Sequence, residues 1–201
     1  MAKNLVDAVV DNVFMKLVGN RVIMVIRRRT LDGKFLSGSS EGAEKYSGKP
    51  FAMPYAAANI GTQNKISQLS KNPNSPNAPQ IFTSAKGTVW VLITGGYKQY
   101  RELGGRDSSK VNLTWSGRMM RNLGILPGAD KAKEVSLGFT STDEKQKAVW
   151  HNLEGAGKSR RLHKFMGLTD TEKNTLSKWI GSEAASRLDK MIQTEWNKQT
   201  V

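Results

Sequence analysis

The stretch TGGYKQYRELGGRDSSKVNLTWSGRMMRNL, Thr94–Leu123, holds two glycine pairs, two tyrosines, a run of charges and a short apolar segment. Glycine pairs beside basic residues raise the question of a loop that holds a phosphate. A dinucleotide fingerprint needs spaced glycines between a strand and a helix, so that backbone N–H groups approach the phosphate oxygens. GGYKQYRELGG (95–105) lacks that spacing, and no suitable helix opens at its end. The stretch instead reads as the end of a strand, then a Tyr/Lys/Arg hairpin or loop bounded by turn glycines. An extended lead follows, into a helix capped near Ser116 and ended at Gly124.

TVWVLITGG (88–96), which leads into this stretch, is a strand. KEVSLGFTS alternates Val135, Leu137 and Phe139 against polar neighbours and is a second. Ser141-Thr142-Asp143-Glu144 is a capping box that opens a helix through Ala148, Val149 and Leu153. Thr169-Asp170-Thr171-Glu172 is another. It opens the longest helix, to about Lys198, with Leu176, Trp179, Ile180, Ala184, Leu188, Met191, Ile192 and Trp196 on one face. Near the N-terminus, residues 3–18 have helical apolar spacing, and Gly19-Asn20 is a stop signal. RVIMVIRRRT (21–30), rich in β-branched residues, reads as a buried strand, with a second helix as the alternative. Residues 59–88 include three prolines among Asn and Ser and read as an extended loop insertion, either functional or merely tolerated. The pattern predicts one α+β domain over 1–201: a small mixed or antiparallel sheet packed with an N-terminal helix and a long C-terminal helix.

The chain has 201 residues, a formal net charge of +14 and no cysteine. The charge favours an anionic partner. The lack of cysteine removes disulfides and thiolate metal sites, and only two histidines are present. No cofactor, metal or catalytic set is therefore expected. The longest apolar runs, Val22–Ile26 and Val89–Ile93, fall far short of the ~20 residues that cross a bilayer. A soluble protein made in the cytoplasm, without membrane contact, is expected. GAGKSRR (155–161) contains Gly-Lys-Ser, but Asn152 stands where a P-loop needs glycine, and a helix precedes it rather than a strand. His151 and His163 have no nucleophile beside them in sequence. The acid pairs Asp143/Glu144 and Asp170/Glu172 are accounted for by helix N-termini. The basic residues form groups at Arg27, Arg28 and Arg29, at Arg118 and Arg121, and at Lys158, Arg160, Arg161, His163 and Lys164. These are candidates to face DNA or a protein interface.

The order of segments carries more than any single motif. RRRTLDGKF (27–35), YSGKPF (46–51), GGYKQYRELGG, VNLTWSGRMMRNL (111–123), VSLGF (135–139), KAVWHNLEG (147–155) and RRLHKFMGLTDTEKNTL (160–176) follow one another. This series resembles the tail-completion or head–tail joining (neck) proteins of tailed bacteriophages, the phage virion morphogenesis family. The matching positions are Arg29-Thr30 with Gly33, Tyr97–Arg101, Val111–Met119, Ala148–Gly155, and Arg161 with Phe165, Gly167, Leu168 and Thr169. The family's proline before the arginine–phenylalanine segment is missing here.

The resemblance implies a non-catalytic virion protein, made in the host cytoplasm, that forms a homo-oligomeric, hexameric ring. It would sit between the connector or stopper and the tail terminator or tube, with non-specific contact to genomic DNA. Expected interface residues are Tyr97, Lys98, Tyr100, Arg101, Arg160, Arg161, His163 and Lys164, together with the loop from about Gly61 to Lys86. Arg27, Arg28, Arg29, Arg118 and Arg121 are the expected DNA-facing set. The alternative is a basic nucleic-acid-binding protein without ring assembly.

Overall fold

The structure, a computed structural model, describes residues 8–36, 44–72, 78–114, 116–127, 133–155 and 160–199. Its fold is α+β, with an N-terminal helix, a long C-terminal helix and small antiparallel sheets of three and two strands. In chain order the elements are α1 (Asn12–Leu31), β1 (Phe51–Pro54), a 3-10 turn (Tyr55–Ala57), α2 (Ile60–Ser70), β2 (Gln80–Thr83), β3 (Val89–Ile93) and α3 (Gly96–Leu103). They continue with α4 (Arg118–Asn122), β4 (Leu123–Ile125), β5 (Leu137–Phe139), α5 (Thr142–Val149), a π-helical turn (Trp150–Glu154) and α6 (Asp170–Gln199). The described residues divide into two compact units. A central unit comprises Asp32–Lys34 and the described residues from 44 to 114. A terminal unit comprises the described residues to Leu31, Phe35, Leu36 and those from Ser116 onward.

In the central unit β3 lies between β1 and β2, in the order β1-β3-β2. Phe51 stands opposite Ile93, and Thr83 opposite Val89. Alternation puts Val91 and Ile93 on the inner face, where they join Ala58, Ile66 and Leu103, with Phe51, Met53, Tyr55 and Tyr100 packed around them. Burying a side chain such as Ile66 stabilises by about 1.5–3 kcal/mol. The loop expected over 59–88 is corrected here, because it contains α2 and β2; residues 73–77 lie outside the described residues. Asn59 caps α2 by accepting a hydrogen bond from the Thr62 amide at 2.9 Å. Thr62 and Ile66, one turn apart, are both buried. The Asn/Ser composition concealed a helix with a two-residue inner stripe.

The terminal unit corrects two further expectations. The segment 21–30 is not a strand: α1 runs unbroken through Gly19-Asn20 to Leu31. It starts after Asp11, whose Oδ1 accepts from the Phe14 amide at 2.6 Å. Of the helix expected over 3–18, residues 3–7 lie outside the described residues. Gly19 is a packing position, not a stop. A Cβ there would lie 3.2 Å from side-chain carbons of both Ile125 and Val135. Phe14, Ile23 and Ile26 are buried, so tertiary burial overrides the β-propensity of the run.

Helix α6 lies antiparallel to α1. Arg187 meets Asp11 and Phe14, Arg21 lies over Trp179, and Arg29 meets Glu172. The expected apolar face of α6 is only half-buried from Leu176 to Met191. Ile192 and Trp196 are exposed where α6 runs past the start of α1. The capping box at Thr169 closes both ways: Thr169 accepts from the Glu172 amide, and Glu172 accepts from the Thr169 amide. At Ser141 only half of it forms: the Ser141 hydroxyl accepts from the Glu144 amide, but the Ser141 amide donates to Asn122 Oδ1 and Glu144 turns to Lys147.

Glu172 also holds Arg29. That guanidinium is buried and donates to Glu172 Oε2, to the Phe165 carbonyl at 2.6 Å and to the Gly167 carbonyl at 3.0 Å. Arg29→Ala would strand a carboxylate and two carbonyls. The expected loss is about 3–5 kcal/mol of unfolding free energy, read by urea denaturation followed by circular dichroism.

Candidate functional site

The expected Tyr97–Arg101 loop is in fact helical, because α3 starts at the second glycine of the pair Gly95-Gly96. Gly96 has φ +70, and a Cβ there would lie 2.5–2.6 Å from backbone atoms of Ser47, Gly48 and Lys49. Glycine thus lets the 47–49 backbone lie directly on the start of α3, where the Lys98 amide donates to the Ser47 carbonyl at 3.1 Å. This brings Tyr46 to Tyr97 at 5.4 Å between ring centroids. Tyr97 lies 5.8 Å from Tyr100, and Phe51 lies 6.4 and 6.1 Å from the two. Tyr97 is 39% exposed, and Lys45, Lys49 and Lys98 are exposed on the same segments. Burial raises the Tyr46 and Tyr100 phenols above their ordinary value. They therefore stay protonated at neutral pH, suited to hydrogen bonding rather than to base catalysis.

Arg101 does not belong to this surface. It is 2% exposed, with its guanidinium 4.5 Å from the Tyr46 ring centre. It donates to the Asp107 carbonyl at 2.7 Å, the Thr114 carbonyl at 2.8 Å and Asn112 Oδ1 at 3.1 Å. Asn112 Oδ1 also accepts from Tyr46 and from the Thr114 amide and hydroxyl. Arg101 is thus the internal clamp that shapes the 107–114 turn, in which Leu113 takes φ +51. Sequence reasoning missed Lys45, Lys49 and Asn112. The first two were legible only as neighbours of Tyr46-Ser47, and Asn112 only as part of the Val-Asn-Leu-Thr element.

The arginine triplet separates in the same way. Arg29 is buried as described, so it does not face DNA. Arg27 donates to the carbonyls of Met120, Arg121 and Leu123 at 2.8, 3.2 and 2.7 Å, satisfying the end of α4. Arg28, Arg118 and Arg121 are exposed. In the third group Arg160, Arg161 and Lys164 are exposed and His163 is half-buried; Lys158 lies outside the described residues.

A strap of main chain runs behind that third group. The His163 amide donates to the His151 carbonyl at 2.8 Å, and Asn152 Oδ1 accepts from the Phe165 and Met166 amides at 2.9 and 3.0 Å. The His151 and His163 rings meet edge-on at 5.7 Å, and Phe35 lies edge-on to His163 at 5.1 Å. Burial, and then the neighbouring His163, push His151 down to about 4; burial and Arg161 lower His163 as well. Both rings are neutral at pH 7. Among the described residues no group of three or more His, Cys, Asp or Glu is placed to hold a metal ion, and no helix is long and apolar enough to cross a membrane. No protein-family model, curated protein or solved structure matches the chain.

Two outcomes follow. Arg101→Lys keeps the charge but loses the planar fork that reaches three acceptors. It should cost roughly 2–4 kcal/mol in denaturant titration, whereas Arg118→Ala on the exposed face should stay within about 0.5 kcal/mol. Acidification gives the other. Because the native state holds His151 near 4 against an ordinary 6.5, the unfolded chain takes up the proton first. Stability is then full above about pH 6.5 and falls as the pH drops towards 4. The thermal midpoint should decline over that window, and His151→Phe should flatten the decline.

Proposed function

We propose that this protein is a structural component of the neck of a tailed bacteriophage. It assembles into a homo-oligomeric ring that completes the tail or joins it to the head connector. One observation carries the reading: the segments behind the family resemblance hold one another together. Arg29 of the first segment binds Phe165, Gly167 and Glu172 of the last. Arg101 of the tyrosine segment binds Asn112 and Thr114 of the Val-Asn-Leu-Thr segment. His151 and Asn152 of the KAVWHNLEG segment bind His163, Phe165 and Met166. Chance matches scattered along a chain have no reason to coincide with its buried polar joints.

On this reading the work is docking. The exposed Tyr97 with Lys45, Lys49 and Lys98 is a socket for an acidic, hydrogen-bonding partner surface such as a connector or terminator ring. Repetition around a ring multiplies a modest single contact. Arg28, Arg118 and Arg121 favour a second reading, a basic nucleic-acid-binding protein without ring assembly. In that case duplex DNA would bind tightly and binding would fall steeply with salt.

The decisive measurement is electron microscopy of particles assembled without the protein. Filled heads separate from finished tails are expected. Normal infectious particles would reject the neck reading, and tight salt-sensitive DNA binding by a chain that never joins particles would replace it.

A further inference from the structure

Among the described residues of the terminal unit, two apolar faces are exposed. The first is the outer side of α1. Val13, Leu17, Met24 and Leu31 are exposed, Val13 by 66%. At 100° per residue the four fall within about 40° of one another, in a stripe about 27 Å long. Arg21 and Arg28, also exposed, lie along one flank. The second face is made by the turn after α5. Asn152, held by the Ala148 carbonyl and the amides of Phe165 and Met166, fixes the π-helical path of Trp150–Glu154. That widened turn presents Trp150 and Leu153 outward, Leu153 by 74%. Glu154 and Asp143 are exposed beside them, while Lys147 is tied to Glu144 at 2.8 Å. π turns are rare, are found at functional sites, and here hold two large apolar side chains in water.

We infer that these two faces are the two halves of a subunit contact: the Trp150/Leu153 knob of one copy seats on the α1 stripe of the next. The charges choose this pairing. Stripe against stripe would set Arg21 and Arg28 against their own copies, and knob against knob would oppose Glu154 to Glu154. Knob on stripe sets carboxylates beside guanidiniums over a shared apolar centre. A chain with a net charge of +14 repels its own copies, so self-association needs such a local match. Because the two faces differ, the contact is heterologous and leaves one free knob and one free stripe on every pair, a requirement that every ring of more than two copies built from one contact must meet. This inference rests on the ring reading above and adds which surfaces build the ring.

The test uses the full-length protein with two charge variants at exposed positions, Leu153→Lys and Met24→Glu. Size-exclusion chromatography with light scattering should show the wild type above monomer mass. Each variant should be monomeric, with its thermal midpoint unchanged. Mixed in equal amounts, the two should associate one to one, because the intact knob of Met24→Glu meets the intact stripe of Leu153→Lys. Assembly that survives either substitution overturns the pairing. So does a mixture that stays monomeric, or a wild type that stays monomeric to its solubility limit. The last result leaves the neck reading standing, since that depends on the particle experiment alone.

Discussion

A guanidinium taken out of water has to be matched on several sides at once, and the terminal unit is arranged around one that is. Arg29 reaches a carboxylate and two carbonyls from a single side chain near the end of α1. Its carboxylate, Glu172, is also the capping residue of α6. Helix initiation and ion pairing therefore share one side chain, and residue 29 is fixed against the 165–172 turn. Coulombic attraction alone would not offset the desolvation. The extra hydrogen bonds to backbone oxygens make the arrangement favourable, and only a planar fork supplies them. Arg101 solves the same problem in the central unit with two carbonyls, an amide oxygen and an aromatic face.

Elements with a local cause could be read from the sequence. The helix starts at Ser141 and Thr169 and the strand in TVWVLITGG need nothing distant, and they appear where expected. The errors share a different cause. Gly19 and Gly96 looked like punctuation, but each admits a neighbour that a side chain would exclude: Ile125 and Val135 in one case, the 47–49 backbone in the other. A glycine that breaks a helix and one that lets something touch it are identical in sequence. The β-branched run after Arg21 was ambiguous for the same reason, since only long-range burial decides it. Arg29 did leave a trace, because it falls on the helix face of Ile23 and Ile26 rather than opposite them.

Removing the buried arginines changes what the positive charge means. A triplet that looks like a phosphate clamp is one surface residue, Arg28, beside two structural ones. What remains exposed includes a tyrosine–lysine surface in the central unit and, in the terminal unit, apolar faces with charged rims as well as the basic residues Arg118, Arg121, Arg160, Arg161 and Lys164. Those surfaces suit protein contact better than base reading, which needs hydrogen-bonding side chains presented to a groove.

The π turn also limits how the chain can change in length. In an α-helix, adding or removing a residue rotates everything beyond it by about 100°. The wide turn at Trp150–Glu154 already accommodates an irregular step. Both its carbonyl at His151 and its amide side chain at Asn152 are engaged by the strap at 163–166. Losing one residue there would restore a regular helix and swing those groups away from their partners. Divergent versions of this chain should therefore keep a fixed count of residues within the turn.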